Sequence, residues 1–187
     1  DTGMLRMGTM DSWLIWNLTK GENTVHATDY TNASRTLLFN IHSLDWDDEL
    51  LKIFTVPLSM MPEVRVCDTV YGNTDLNGLL PKNVPIAGVL GDSDGALFGQ
   101  MCFEPVMGKA TYGTGSSVMV NTGWEACIPP DGLVTSIGYA ACGDICYAFE
   151  GNIHCTGDTI KWLIDNLELL SSSSESEQWA ISALNNN

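Results

Sequence analysis

The sequence predicts an α/β chain in two parts, because helical patterns dominate its first part and strand patterns its second. An apolar run over 84–91 lies between them, is typical of a buried strand and ends on Asp92. After Pro105, short β-type segments alternate with Gly-rich turns until a helical pattern of apolar residues begins. We therefore predict a first unit over 1–103 and a second over 104–187.

Three helices are predicted before the apolar run, and polar residues at their starts locate them. Thr9 or Asp11 can cap the first helix, and Gly21 follows it as a stop. An acidic cluster begins the third helix, where negative charge is favourable because of the helix dipole. The predicted ranges are 11–19, 29–38 and 47–54.

The remaining elements are a short helix, four strands and a long final helix. The short helix is predicted over 94–101, and the strands over 109–112, 117–121, 133–139 and 145–149. Apolar residues that recur every three or four positions predict the long helix over 153–170. The serine-rich patch 171–177 is predicted to be a loop or a linker between helices.

Composition indicates a globular chain, since 44% of the 187 residues are hydrophobic and 17% are charged. A net charge of −15 leaves no basic patch for a phosphate backbone, so neither nucleic acid nor an anionic membrane is an expected partner. No apolar run reaches the roughly 20 residues that span a bilayer. The chain starts at Asp1 without a leader pattern, so we expect an internal segment of a longer cytoplasmic protein.

The six cysteines are expected to be buried, reduced thiols. Cys142 and Cys146 are four residues apart, and His154 and Cys155 follow soon after. A zinc site of this kind would need paired two-residue spacings that are missing here, and the lack of a leader disfavours disulfides. We therefore assign no residue to a metal.

Asp92 is the first candidate for chemistry, because a carboxylate at the end of an apolar strand lies where open α/β sheets bind ligands. It could accept a proton from a substrate hydroxyl, as phosphoryl transfer to an alcohol requires. The same residue could instead be a helix N-cap, and the residues alone favour that interpretation.

The second candidate is the stretch 111–117, Thr-Tyr-Gly-Thr-Gly-Ser-Ser. Gly113 and Gly115 allow a close approach to a ligand, and free N–H groups there could face phosphate oxygens. The hydroxyl groups available to the same ligand belong to Thr114, Ser116 and Ser117. The stretch lacks the Gly-Lys-Ser/Thr ending of a Walker loop, and by itself it is better explained as a β-hairpin turn.

Gly157 is the third candidate, because a glycine inside the predicted long helix costs roughly 1 kcal/mol relative to alanine. Close packing of the helix on a sheet and close approach of a nucleotide explain it equally well. The three histidines are isolated in the sequence, and we interpret them as structural or surface residues.

Taken together and in order, these segments resemble the FGGY family of carbohydrate kinases, nearest to its glycerol kinase branch. The resemblance is colinear and runs along nearly the whole chain. It is carried by 8–19, 28–42, 44–48, 61–65, 91–92, 95–100, 111–115, 148–151 and 160–167.

The resemblance implies an actin-like ATPase fold with ribonuclease H-like domains. The chain would then contain the end of the N-terminal domain and the start of the C-terminal domain, with ATP, Mg²⁺ and a sugar or polyol bound between them. It implies that Asp92 is the general base, which reverses the capping interpretation. It also assigns nucleotide binding to Gly113, Thr114, Gly115, Gly157, Ile160 and Lys161. A homodimer is the expected assembly.

The chain departs from the glycerol kinase pattern beside the predicted acceptor. Ser93 and Asp94 stand where glycerol kinases carry two glutamines, and Ser117 stands where they carry a phenylalanine. Ser93 and Ser117 are therefore predicted acceptor-binding residues, together with Asp92, and the acceptor is expected to be a ketose or polyol other than glycerol. Two alternatives remain, a nucleotide- or sugar-binding module without turnover and an inactive fragment.

Overall fold

A computed structural model describes residues 4–21 and 23–185. Its helices are α1 (Met10–Leu18), α2 (Tyr30–Ser34), α3 (Asp48–Ile53), α4 (Asp92–Gly99), α5 (Gly157–Asp165) and α6 (Ser173–Asn185), with a 3-10 turn at Leu58–Met60. Its strands are β1 (Ala27–Asp29), β2 (Phe39–Asn40), β3 (Asp45–Trp46), β4 (Glu63–Arg65), β5 (Gly72–Thr74), β6 (Val84–Ile86), β7 (Gly108–Tyr112), β8 (Ser116–Gly123), β9 (Val134–Ala141) and β10 (Asp144–Ile153).

The second part of the chain folds into a four-stranded antiparallel sheet in the order β7-β8-β10-β9. β7 and β8 form a hairpin in which Tyr112 pairs with Ser116, so residues 113–115 are its turn. β9 and β10 are joined by Cys142 and Gly143, both with positive φ, as a two-residue type I′ turn requires. β1 and β4 pair in parallel, whereas β2–β3 and β5–β6 are antiparallel pairs.

The main hydrophobic core joins the two parts of the chain. Its buried residues come from the α2–α3 region and from the large sheet: Ala33, Leu38, Phe39, Trp46, Leu51, Met61, Ile137 and Tyr147. Hydrogen bonds between the two parts reinforce it: the Cys67 N–H donates to the Ala140 carbonyl at 2.7 Å, and the Tyr147 hydroxyl donates to the Ile41 carbonyl at 2.8 Å. The first part of the chain therefore packs directly on β9 and β10.

The final helical region differs from its prediction. The predicted helix 153–170 is wrong in extent, because Ile153 ends β10 in a pair with Ser116 and the helix runs only over Gly157–Asp165. Most of the serine-rich patch is also helical, since α6 begins at Ser173. The Ser171 N–H donates to the Glu175 carboxylate at 2.7 Å, which ties residues just before α6 to its first turn.

The predicted buried strand 84–91 is wrong as well. Only Val84–Ile86 is a strand, it pairs with β5 alone, and Val84 is exposed. Helix α2 is half as long as the predicted 29–38, and Asp29 caps it from the end of β1. The other predicted helices and strands are present with ends that differ by a few residues.

All six cysteines are free thiols, which confirms that part of the prediction. Cys67, Cys102 and Cys146 are buried, whereas the other three are exposed, contrary to expectation. The Cys142–Cys146 spacing reflects the β9–β10 turn, which leaves the first thiol in solvent and the second in the core. None of the helices within the described ranges has the length and hydropathy needed to cross a bilayer.

Candidate active-site cleft

Asp92 lies at the mouth of a cleft of about 470 Å³ between the two parts of the chain. It is the first residue of α4, and Gly91 occupies the N-cap position, so the capping interpretation of Asp92 is wrong. One carboxylate oxygen accepts from the Ser93 N–H at 2.7 Å, and the side chain remains exposed to solvent. The carboxylate is thus oriented by its own helix and free to meet a ligand.

Helices α1, α2 and α4 and strands β8 and β10 surround this cleft. The lining residues are Met10, Asp11, Leu14, Asn32, Arg35, Leu90, Gly91, Asp92, Ser93, Asp94, Met119 and Glu150. They combine an apolar side with several carboxyl groups and one guanidinium group, a composition suited to a polar molecule with a hydrocarbon skeleton.

A buried hydrogen-bond chain fixes the start of α4 relative to α2. The Gly91 N–H donates to the Thr31 hydroxyl at 2.8 Å, and that hydroxyl donates to the Asp29 carboxylate at 2.6 Å. Asp29 is fully buried and also accepts from the Cys67 thiol at 3.2 Å. Asp92 is therefore held in position by a network that begins in the core.

An ion pair closes another side of the cleft. The Arg35 guanidinium contacts one carboxylate oxygen of Glu150, and the Ser117 hydroxyl donates to the other at 3.0 Å. Glu150 is buried, so both of its oxygens need these partners. Ser117 is half-buried and adjoins the cleft through Glu150 rather than lining it directly.

Ser93 and Asp94 are the two remaining polar residues of this end of α4. Ser93 is half-buried, whereas Asp94 is only 5% exposed. Burial raises the pKa of the Asp94 carboxyl to about 7; Arg35 opposes this shift, and Asp29 and Glu150 add to it. In the sequence, Asp94 was noted only because it stands where glycerol kinases carry a glutamine. Its burial could not be predicted from the sequence.

The turn 113–115 contacts the start of α5. The Gly157 N–H donates to the Gly113 carbonyl at 3.0 Å, and the N–H groups of Thr156 and Asp158 donate to the Thr114 carbonyl at 3.0 and 3.1 Å. A Cβ on Gly157 would lie 2.4 Å from the Gly113 carbonyl oxygen. Gly157 therefore begins the helix, rather than interrupting it, and its missing side chain is what permits this contact.

The other face of the turn is open to a ligand. Within 4–21 and 23–185, no group accepts a hydrogen bond from the N–H of Thr114 or of Gly115. Thr114 is exposed, but the Ser116 hydroxyl is 2.8 Å from that of Thr156 and the Ser117 hydroxyl bonds Glu150, so these two are already engaged. Two backbone donors and one hydroxyl remain, which suits an anionic oxygen.

Two neighbouring residues of β8, Ser116 and Ser117, lie between the predicted nucleotide site and the predicted acceptor cleft. Ser116 contacts the start of α5 through Thr156, and Ser117 contacts the cleft through Glu150. On α5, Ile160 is half-buried and Lys161 is exposed. The structure thus brings Asp92, Ser93 and Ser117 to one end of the large sheet and the turn with Gly157 beside it.

Asp29, Thr31, Arg35 and Glu150 were not singled out as site residues. Their sequence signals are weak: Glu150 directly follows the apolar segment 145–149, and Asp29 precedes a short helix. The described residues contain no group of three or more His, Cys, Asp or Glu side chains that could hold a metal ion.

Comparison with known proteins defines the class of protein. The model of the N-terminal domain of the FGGY family of carbohydrate kinases matches residues 3–99, and that of the C-terminal domain matches 108–186. The chain therefore belongs to the FGGY family of carbohydrate kinases, and its actin-like ATPase fold is the one predicted.

The curated relatives are similar along the whole chain. A glycerol kinase of Natranaerobius thermophilus is 51% identical over 95% of this chain and 35% of its own length. Glycerol kinase 1 of Thermotoga maritima is 53% identical over 98% of this chain and 37% of its own length. The chain thus spans a little over a third of the length of these relatives.

Solved structures give the same result. A Plasmodium falciparum glycerol kinase with ADP is 38% identical, with a TM-score of 0.80 over 91% of this chain and 34% of that protein. A xylulose kinase of Lactobacillus acidophilus is 20% identical, with a TM-score of 0.69 over 83% of this chain and 31% of that protein. The second likeness concerns the fold alone.

Proposed function

We propose that this chain is part of an ATP-dependent kinase that phosphorylates a hydroxyl group of a polyol or sugar. The observation that carries the proposal is the accessible Asp92 carboxylate at a cleft, together with a turn before β8 that offers two backbone donors with no acceptor among the described residues. Glu150 in the cleft and Ser117 near the turn connect the two regions through a hydrogen bond. The names of its relatives support the proposal. A carbohydrate kinase also requires a general base and a phosphate-binding turn, and this chain has a candidate for each.

Asp92 is the general base in this proposal. Its carboxylate accepts the proton of the acceptor hydroxyl while the hydroxyl oxygen forms a bond to the γ-phosphorus of ATP. The bond from that phosphorus to the bridging oxygen breaks, and ADP leaves. The Asp92 side chain suits this step because it is exposed at the cleft and, within the described residues, accepts a hydrogen bond only from its own neighbour, Ser93.

The nucleotide would bind along the turn 113–115 and the start of α5. The N–H groups of Thr114 and Gly115 would donate to phosphate oxygens. Gly157, Ile160 and Lys161 would line the nucleotide site. Mg²⁺ is expected to accompany ATP, but the described residues provide no cluster of ligands for it, so we assign it no residue and no step.

Two candidate acceptors have separate support. Glycerol is favoured by the names of relatives at about half identity. A larger ketose or polyol is favoured by Ser93, which lines the cleft with a short side chain where the glycerol kinase pattern has a glutamine, and Ser117 is proposed to contribute through Glu150. A panel of acceptors distinguishes them, and glycerol as the best substrate would refute the second.

The decisive experiment replaces the base in a polypeptide of full family length that contains this chain. Asp92→Asn is expected to reduce phosphoryl transfer by about 10²–10⁴-fold, with ATP affinity nearly unchanged. Asp131→Asn is the matched control, because Asp131 is exposed in the loop before β9 and outside the cleft. Turnover of Asp92→Asn within about threefold of wild type would reject the general-base role.

A binding module without turnover is the alternative function. It predicts nucleotide or sugar binding by the full-length wild-type protein but no product with any acceptor.

We further propose that the chain divides into two units, 1–103 and 104–187, which share the main hydrophobic core. We also propose that the complete protein is a cytoplasmic homodimer.

A further inference from the structure

Asp94 is a buried carboxyl group without a donor from another residue. It is 5% exposed and lines the same cleft as Asp92 and Ser93. Among residues 4–21 and 23–185, no hydrogen bond from another residue to its side chain is present; its own backbone N–H bonds it, and Arg35 is near enough to act on it through its charge. A carboxylate can accept several hydrogen bonds, so the Asp94 side chain keeps accepting capacity for a ligand in the cleft.

The other acidic groups of the cleft already have partners. Glu150 has Arg35 and Ser117, and Asp11 accepts from the Thr28 hydroxyl at 2.7 Å. Behind the cleft, both carboxylate oxygens of Asp29 accept hydrogen bonds within α2.

Arg35 is the single basic residue among those that line the cleft, and it is engaged by Glu150. Arg35 still lowers the pKa of Asp94 through its charge, but Asp29 and Glu150 act in the opposite direction, and the carboxyl remains without an ion-pair partner of its own among the described residues. An uncharged hydrogen-bond donor, such as a hydroxyl group, satisfies this carboxyl without displacing an existing pair.

We propose that Asp94 determines acceptor specificity by accepting a hydrogen bond from an acceptor hydroxyl other than the one that Asp92 deprotonates. This inference rests on the proposed kinase function. It deepens that function, because it names a second polar contact for the polyol and a side chain that favours acceptors able to reach it.

The interaction has a characteristic pH dependence. Because burial raises the pKa of Asp94 to about 7, the carboxyl is partly protonated near neutral pH. The ionised form accepts the stronger, charge-assisted hydrogen bond, so acceptor binding favours deprotonation. If only the ionised form binds, the acceptor KM falls by about tenfold between roughly pH 6 and pH 8, in proportion to the ionised fraction.

The experiment measures kcat and KM for glycerol and for a five-carbon polyol, as functions of pH, in a full-length protein that contains this chain. Asp94→Asn keeps the shape of the side chain but cannot ionise. We expect it to raise the KM of the preferred acceptor by about tenfold, to remove the pH dependence of that KM and to change the KM of ATP by less than about twofold. Asp131→Asn should retain the wild-type profile.

Asp94→Gln, the residue of the glycerol kinase pattern, provides a second variant. It should shift the ratio of kcat/KM for the two acceptors towards glycerol. An unchanged acceptor ratio in both variants, or a KM whose pH dependence persists in Asp94→Asn, would overturn the inference.

Wild-type kinetics test the inference even if both variants fold poorly. A wild-type acceptor KM that is independent of pH would also reject it. Absence of phosphorylated product with every acceptor would instead reject the proposed function, so the two failures are distinguishable.

Discussion

Gly157 shows how a single missing side chain shapes the candidate nucleotide site. Its N–H bonds the Gly113 carbonyl, and the space that a Cβ would occupy is already filled by that carbonyl oxygen. Gly115 is similarly confined, since a Cβ there would lie 2.8 Å from the Ile153 carbonyl oxygen. Neither residue has positive φ, so close approach rather than turn conformation explains both glycines.

Gly157→Ala should therefore destabilise the chain. The clash is with backbone, so the turn must move, and we expect a loss of about 1–3 kcal/mol in the free energy of unfolding. Urea denaturation measures it. Gly99→Ala is the control, because no atom lies within 4 Å of its added Cβ, and there a gain of roughly 0.5–1 kcal/mol is expected. Equal effects at the two positions would contradict this account.

Helix α2 is only five residues long and depends on its N-cap. The Asp29 carboxylate accepts from the N–H groups of Thr31 and Asn32 at 2.8 and 3.1 Å, and from both of their side chains. Through Thr31, the same network holds Gly91 at the start of α4. A short helix thus acts as the support of the candidate catalytic residue.

Asp29→Ala is expected to lower the free energy of unfolding by more than about 2 kcal/mol. A lost cap costs roughly 0.5–2 kcal/mol, and each buried donor left unpaired adds about 1–3 kcal/mol. Asp47→Ala is the matched control, because Asp47 caps α3 through two backbone N–H groups at 3.0 Å but is only half-buried. A loss at Asp29 no larger than that at Asp47 would show that the buried network contributes nothing.

At the scale of elements, the strands of the large sheet could be predicted best. Their apolar alternation and intervening glycines locate β7–β10 within a few residues, because local patterning and turn chemistry agree there. The strands β1–β5 were missed, since they are only two or three residues long, and β1 and β4 exist through a parallel pairing between segments that are distant in sequence. The long final helix was predicted because one apolar periodicity runs from Ile153, which ends β10, into α5.

The whole molecule exposes an apolar surface on α1. Met10, Trp13 and Leu14 are 72, 61 and 46% exposed. β7 and β9 are also edge strands of the large sheet. Exposed apolar patches and unpaired edges favour association with another polypeptide.

The isolated 187-residue chain is therefore expected to self-associate and to phosphorylate nothing. Phosphoryl transfer depends on several groups positioned together, and this chain spans a little over a third of the length of its relatives. Light scattering across a concentration series measures association, and incubation with ATP, Mg²⁺ and an acceptor panel measures turnover. Replacing Trp13 by Glu should weaken association. A monomer at all concentrations, or product above background, would contradict these expectations.

The sequence by itself determined the family, the order of the main elements and the choice of Asp92 and the turn 113–115, because these depend on local residue patterns. The tertiary structure decided what surrounds them. It showed that Asp92 lies neither at a strand end nor at the N-cap of α4, that the Ser117 hydroxyl donates to Glu150, and that Asp94 is buried with no hydrogen bond from another residue of the described ranges. Burial and pairing arise from contacts between residues distant in sequence, so no local pattern encodes them.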